Sequence, residues 1–262
     1  MGAKMFQVDS FTDKPFAGNP AGVCMLALPR GNDWMQDVAA EMNVSETAFL
    51  LPDDGGWLLR WFTPKVEVNL CGHATLASAH ALWEAEYLRA DGQARFHTKS
   101  GLLTAQRRGD WIEMDFPFQP LGAELPTDGL EAMLGVPAVT AYEAGWTRLV
   151  ELASEQDVRA ARPDFATMKA GPWGTVIITA PSESTEFDFV SRFFAPAVGI
   201  DEDPVTGSAH CVLGPYWAER LGKDELLAYQ ASWRGGVVRV RPAGDRVKLA
   251  GQAVTTLKGE LT

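Results

Sequence analysis

A seven-residue pattern occurs twice in this chain, and its spacing limits what the chain can fold into. Arg60-Trp61-Phe62-Thr63-Pro64-Lys65-Val66 returns as Arg192-Phe193-Phe194-Ala195-Pro196-Ala197-Val198, at an offset of 132 residues. Arg, Phe, Pro and Val coincide, and an aromatic stands opposite an aromatic. Further on, Gly72-His73-Ala74 is echoed by Gly207-Ser208-Ala209 at an offset of 135. Each copy reads as a strand, a Pro-marked connection and the start of a helix of small residues. Two copies of one unit in 262 residues predict a duplicated domain with a site where the copies face each other. Gly at a helix start lets backbone approach a ligand, and the first N–H groups of a helix have no internal partner. Two such N-termini aimed at one cleft make a cradle for a carboxylate or a developing oxyanion. The pattern also fits two ordinary helix starts packed in two similar cores.

The length suffices for a substantial core, as one large domain or two of common size. Hydrophobic content of 46% and charged content of 22% are those of a globular protein, and the net charge of -11 speaks against nucleic acid or an anionic membrane as partner. An anionic substrate stays open, since local N–H groups can hold one in an acidic protein. The N-terminal stretch lacks the apolar core of a signal peptide, and no apolar run is long enough to span a bilayer. Cys24, Cys71 and Cys211 are odd in number and widely spaced, which fits neither a disulfide framework nor a zinc knuckle. A reducing cytoplasm is the expected location.

Taken in order, Lys4–Phe11 and Ala21–Leu28 read as strands, separated by the turn-rich segment Thr12 to Pro20. Asn32 is placed to cap a helix to about Met42, with Trp34, Met35, Val38, Ala39 and Met42 on one face. Short strands are expected at 94–98, 102–106, 111–115, 147–152, 175–180, 187–194, 237–241, 247–249 and 254–257. Helices are expected at 130–134 and 208–221. Many short strands with few helices indicate the α+β class. Pro117 to Gly122 reads as a crossing between a first domain, 1–118 completed by a C-terminal strand of 253–262, and its structural duplicate, 119–252.

Glu46 stands where a helix gives way to the apolar run Ala48-Phe49-Leu50-Leu51. A carboxyl there is either an exposed residue at an element's end or, turned into a cleft, a usable base or acid. Gly18-Asn19-Pro20 fits a plain turn. Before the second helix start lie Asp201, Glu202 and Asp203. Carboxylates are cheap at a helix N-terminus, so Asp201 and Glu202 read as a solvated loop, while Pro204 fixes the chain after Asp203. A Ser-His-Asp reading of Ser208, His73 and Asp203 is weak, because Ser208 lies in Thr-Gly-Ser-Ala and not in a nucleophile elbow. His73, His80 and His97 show no metal-binding spacing, so no metal is expected.

Four motifs in order, Gly18-Asn19-Pro20-Ala21-Gly22-Val23, Ser45-Glu46-Thr47-Ala48-Phe49, Leu70-Cys71-Gly72-His73-Ala74-Thr75-Leu76-Ala77 and Asp203-Pro204-Val205-Thr206-Gly207-Ser208-Ala209-His210, resemble the phenazine-biosynthesis PhzF-like isomerase family over nearly the whole chain. The resemblance implies the diaminopimelate epimerase-like fold: two pseudo-symmetric domains, each a curved mixed sheet around a central helix, with the site between them. It also implies a cofactor-independent isomerase, commonly a homodimer, acting on a small carboxylate-bearing metabolite. Carried over by position, Glu46 is the general acid/base, and His73, Asp203 and Ser208 are its polar partners. Gly18, Asn19, Gly72, Thr206 and Gly207 contact the substrate. Two-base epimerases of this fold use a thiol at each helix start. Here Cys71 matches the first, but Asp203-Pro204-Val205 stands where the second belongs. That favours a one-carboxyl isomerase over an amino-acid epimerase or racemase, with an inactive small-molecule-binding relative as the remaining alternative.

Overall fold

The structure, a computed structural model, describes residues 2–262. The chain forms two compact units, Met1–Phe116 with Ala250–Thr262, and Pro117–Leu249.

In the first unit the strands are β1 (Ala3–Ser10), β2 (Asn19–Met25), β3 (Glu46–Asp53), β4 (Gly56–Phe62), the two-residue β5 (Glu67–Val68), β6 (Ala94–Thr98), β7 (Gly101–Arg108) and β8 (Trp111–Pro117). Two helices accompany them, α1 (Asn32–Met42) and α2 (Gly72–Glu84). β1 pairs antiparallel with β2, β2 parallel with β3, β3 antiparallel with β4, β4 parallel with β6, and β6 antiparallel with β7, which pairs with β8. β5 lies against the far end of β4.

Helices cover both faces of this sheet. α2 packs on β1, β2 and β3 and is buried nearly all round, as its run of Ala, Leu, Thr and Ser dictates. On the opposite face, Met35, Val38 and Ala39 of α1 meet Met5, Cys24, Phe49 and Phe62, with Trp34 and Met42 at the margin. Strands buried on both faces read as unbroken apolar runs, which is why Ala48-Phe49-Leu50 does not alternate. The cap of α1 differs from expectation: Gly31 is the N-cap, and the Asn32 side chain instead accepts a hydrogen bond from Arg60. β2 begins two residues earlier than expected, because Asn19 and Pro20 stand in register with Ser10 and Asp9.

The second unit carries β9 (Glu124–Leu125), α3 (Leu130–Leu134), β10 (Ala138–Ala144), β11 (Thr147–Leu152), α4 (Glu155–Ala160), α5 (Phe165–Ala170), β12 (Val176–Pro181), β13 (Phe189–Ala195), β14 (Ile200–Asp203), α6 (Gly207–Leu221), β15 (Leu226–Gln230), β16 (Gly236–Ala243) and β17 (Arg246–Gly251). β10 pairs antiparallel with β11, β11 parallel with β12, β12 antiparallel with β13, β13 parallel with β15, and β15 antiparallel with β16. This is the sequence of pairings from β1 to β7, and β14 lies against β13 as β5 does against β4. α6 follows β14 in the chain as α2 follows β5, and packs on β15 and β16 so closely that a Cβ at Gly214 would stand 2.2 Å from Val240 Cγ1. The opposite face is covered by α3, α4 and α5, whose Leu130, Leu134, Val158 and Met168 share a core with Val150, Ile178 and Phe194. The strands β10 and β15 and the helices α4 and α5 are absent from the sequence reading. Each helix spans six residues, under two turns of periodicity, although Ser154 and Asp164 both cap through their side chains.

Each unit holds one bidentate Arg–Glu pair at the same place in its fold, Arg60 with Glu67 and Arg192 with Glu202. Glu202 is therefore not a solvated loop residue, whereas Asp201 is exposed. The chain ends in β18 (Ala253–Leu261), which returns to the first unit and pairs antiparallel with β1 along its whole length. Among the described residues, no helix is long and apolar enough to cross a membrane.

Candidate active site

Strand direction in the first unit brings chemistry to one end of the sheet. β1 ends at Ser10, while β2 starts at Asn19 and the parallel β3 starts at Glu46. Against these three strand ends lies the start of α2. Its N-cap is Cys71, which makes no side-chain cap hydrogen bond.

The side chains converge on His73. Its Nε2 lies 3.0 Å from Glu46 Oε2, and its Nδ1 lies 3.2 Å from Asn19 Nδ2. Cys71 Sγ stands 3.5 Å from Nδ1 and 3.9 Å from Nε2. Ser45 Oγ donates to Asn19 Oδ1 (3.0 Å), and Ser10 Oγ donates to the His73 carbonyl (2.8 Å). Asn19, expected to contact substrate, has no exposed surface and spends its amide on His73 and Ser45. Gly18 before it sits at φ +64°, where a Cβ would strike the Ser10 carbonyl. The Glu46–His73 contact is close but not aligned as a hydrogen bond, and Oε2 is shut off from solvent.

Burial by itself pushes the His73 pKa down. The neighbouring Cys71 sulfur and Glu46 carboxylate outweigh it, so the group stands well above an ordinary histidine. The rise at His73 comes from the Glu46 carboxylate, since burial and that same carboxylate push the Cys71 thiol up to about 11. At neutral pH that thiol is uncharged and a poor nucleophile.

The second unit builds its own cluster before α6. The Thr206 hydroxyl donates to Asp203 Oδ2, which takes it away from capping the helix. Gln230, fully buried at the end of β15, accepts from Thr206 N (2.9 Å) and donates to the Asp203 carbonyl (2.8 Å). Ser232 Oγ donates to the Pro204 carbonyl (2.8 Å). The turn from Asp203 to Thr206 is thus held from three sides. Gly207 opens α6 without a side-chain cap, as Gly72 opens α2, and Ser208 lies half-buried at the second helical position. Ser208 is thus not the helix cap. Cys211 lies one turn into α6 with its thiol directed at the Gly207 carbonyl (3.7 Å). Sequence reasoning missed Gln230. Its one signal is a polar residue in phase with the buried Leu226 and Ala228 of β15.

The profile of the phenazine biosynthesis-like protein family, PhzC-PhzF, matches residues 8–259. The chain belongs to this family. An uncharacterized isomerase of Halalkalibacterium halodurans is 52% identical over 262 residues, covering 100% of this chain and 99% of its own. A human phenazine biosynthesis-like domain-containing protein is 39% identical, with 98% of each chain covered. The crystal structure of a PhzF family protein from Enterococcus faecalis matches with a TM-score of 0.93 at 40% identity, all of both chains being covered. A probable proline racemase from Agrobacterium radiobacter shares the fold alone, at a TM-score of 0.67 and 12% identity over 99% of this chain and 93% of that one. The chain is an isomerase of the α+β PhzF family.

Proposed function

We propose that the protein moves a proton within a small carboxylate-bearing metabolite without a cofactor, with Glu46 as base and then acid. The observation that carries this reading is the Glu46 carboxylate 3.0 Å from a shielded imidazole, at the meeting of three strand ends and a helix start. Ionised Glu46 takes the substrate's proton, and the resulting acid returns it to another atom of the same molecule. A positioned acid/base group contributes roughly 10²–10⁴-fold. The raised pKa of His73 keeps a positive charge beside the carboxylate, and Asn19 acts through His73 by orienting its ring. We take Gly18, Gly72, Thr206 and Gly207 as backbone offered to the substrate. Asp203 and Ser208 complete the polar set, on the expectation that both helix starts serve one cleft. Uncapped N–H groups at such starts stabilise the carboxylate or the charge that develops beside it.

The test is a proton-exchange screen of metabolite carboxylates in heavy water, read by NMR. With a substrate found, Glu46→Gln should lose exchange by at least about 10²-fold while analogues still bind. Near-normal exchange in that variant would sink the assignment. The two-thiol form of the epimerase reading needs a second thiol, and Cys211 is buried within α6 with its pKa pushed up to about 12; an epimerase using Glu46 and another group as its two bases remains the alternative. Cys71→Ala should therefore keep most of the exchange, and a loss matching that of Glu46→Gln would return the thiol to first place.

A further inference from the structure

Glu46, Cys71 and His73 offer a carboxylate oxygen, a sulfur and an imidazole nitrogen, all within 4.8 Å of one another. We propose that these three side chains form a zinc site through which a thiophilic divalent cation silences the enzyme. Binding stands on the geometry alone, whereas the silencing rests on Glu46 being the acid/base group.

The donor set is selective. Oxygen-seeking Mg²⁺ and Ca²⁺ gain nothing from a thiolate and an imidazole, while Zn²⁺ takes sulfur, nitrogen and carboxylate oxygen together. Bond lengths to zinc of about 2.0–2.3 Å place tetrahedral donors roughly 3.3–3.6 Å apart. The Nε2–Oε2 separation of 3.0 Å must open slightly, and the Nε2–Sγ separation of 3.9 Å must close slightly. Cys71 Sγ now lies nearer Nδ1 than Nε2, so binding turns it about its Cα–Cβ bond toward Nε2. Cys71 precedes the first turn of α2 without a full side-chain cap bond, so that rotation gives up only the contact of its sulfur with the Ala74 amide.

Two further observations point the same way. Glu46 Oε2 is buried without a hydrogen-bond partner, although Nε2 is 3.0 Å away. Lying off the N–H axis is the arrangement of two ligands flanking a shared cation. A His that ligates through Nε2 also needs its Nδ1–H held by an acceptor. Asn19 stands there, and its amide can present oxygen to Nδ1 because the Ser45 hydroxyl either donates or accepts. Charge closes as well. Cys71 gives up its S–H proton and His73 its Nε2 proton to solvent, and thiolate plus carboxylate then balance Zn²⁺ with His73 neutral. A fourth position is left for water or a substrate carboxylate.

The decisive experiment is titration of the metal-stripped protein with Co²⁺, read by absorption. One equivalent per chain should bring thiolate-to-cobalt charge transfer and tetrahedral d–d bands, and Zn²⁺ should bleach both. Cys71→Ser should lose the charge-transfer band. The double variant Cys24→Ser/Cys211→Ser, in which Cys71 is the one remaining thiol, should keep it. Glu46→Gln should weaken Co²⁺ binding by more than about tenfold. No charge-transfer band with Co²⁺ in large excess, or a band that survives in Cys71→Ser, overturns the site. Proton exchange that continues in the zinc-loaded protein overturns the silencing. Exchange by metal-free Glu46→Gln overturns the acid/base reading instead, and leaves the wild-type cobalt spectrum as evidence for the site.

Discussion

His73 and His210 are both shut off from solvent, and their pKa values move in opposite directions. His73 has a carboxylate at 3.0 Å and is raised; His210 has only the Thr206 carbonyl at 2.8 Å and is pushed by burial down to about 4. Below an ordinary histidine pKa of 6.5 the unfolded chain binds a proton that folded His210 refuses, so stability falls as pH drops from 6.5 to about 4. The loss is on the order of 3 kcal/mol when complete. Urea unfolding of His210→Gln across this window should show a flatter pH dependence than wild type. Parallel curves would contradict the burial argument. Glu67, whose pairing with Arg60 lowers it to about 2, gives up its contribution in a separate window, as pH falls from 4.5 toward 2. At this scale the sequence was partly legible. Glu46 and His73 announced themselves by motif, but the support of Asn19 by Ser45 depends on β2 and β3 starting side by side, which no local pattern encodes.

The bidentate pairs belong to the scale of elements. Arg60 Nε and Nη2 reach Glu67 at 2.8 and 2.9 Å, and Arg192 reaches Glu202 at 2.7 and 3.0 Å. Each guanidinium also lies over a ring of its own strand, Phe62 at 5.1 Å and Phe194 at 4.8 Å. Each pair ties a long strand to the short strand that precedes the α2 or α6 helix start. Arg192 does more, donating to the carbonyls of Val158 (3.2 Å) and Ala161 (2.9 Å) at the end of α4. Removing one member of such a shielded pair costs roughly 3–5 kcal/mol. Arg192→Met should therefore destabilise more than Arg60→Met, measured by urea unfolding at pH 7. Equal losses would mean that the α4 carbonyls contribute nothing. Arg192→Lys should not rescue, since an ammonium cannot form the fork. The repeat displayed both arginines at one offset. Their partners stayed hidden because the connection to Glu202 is three residues longer than that to Glu67, and carboxylates before a helix need no partner to be tolerated.

Across the whole molecule, the repeated order of strand pairing was foreshadowed by seven residues and most strands by their apolar runs, while β5, β9, β10, β14, β15 and the partner of each strand were not. The reason is physical: an aromatic-Pro connection and a Gly helix start need particular residues, whereas a buried strand accepts any apolar run of the right length. The closing strand is a test of unit integrity. A chain ended at Gly251 loses the antiparallel partner of all eight β1 residues, so limited proteolysis should degrade the first unit and leave a protected core within Pro117–Leu249. Equal protection of both units would show that β18 is dispensable.

The pairing of Ala3 with Leu261 also orders events during synthesis. The second unit is one unbroken stretch and can fold once its last residue leaves the ribosome. β1, made before the second unit, waits for β18, made after it. Newborn chains therefore carry a finished second half while the Glu46 half still lacks β18, and the Glu46–His73 cluster reaches its native setting only after the whole second unit has been made.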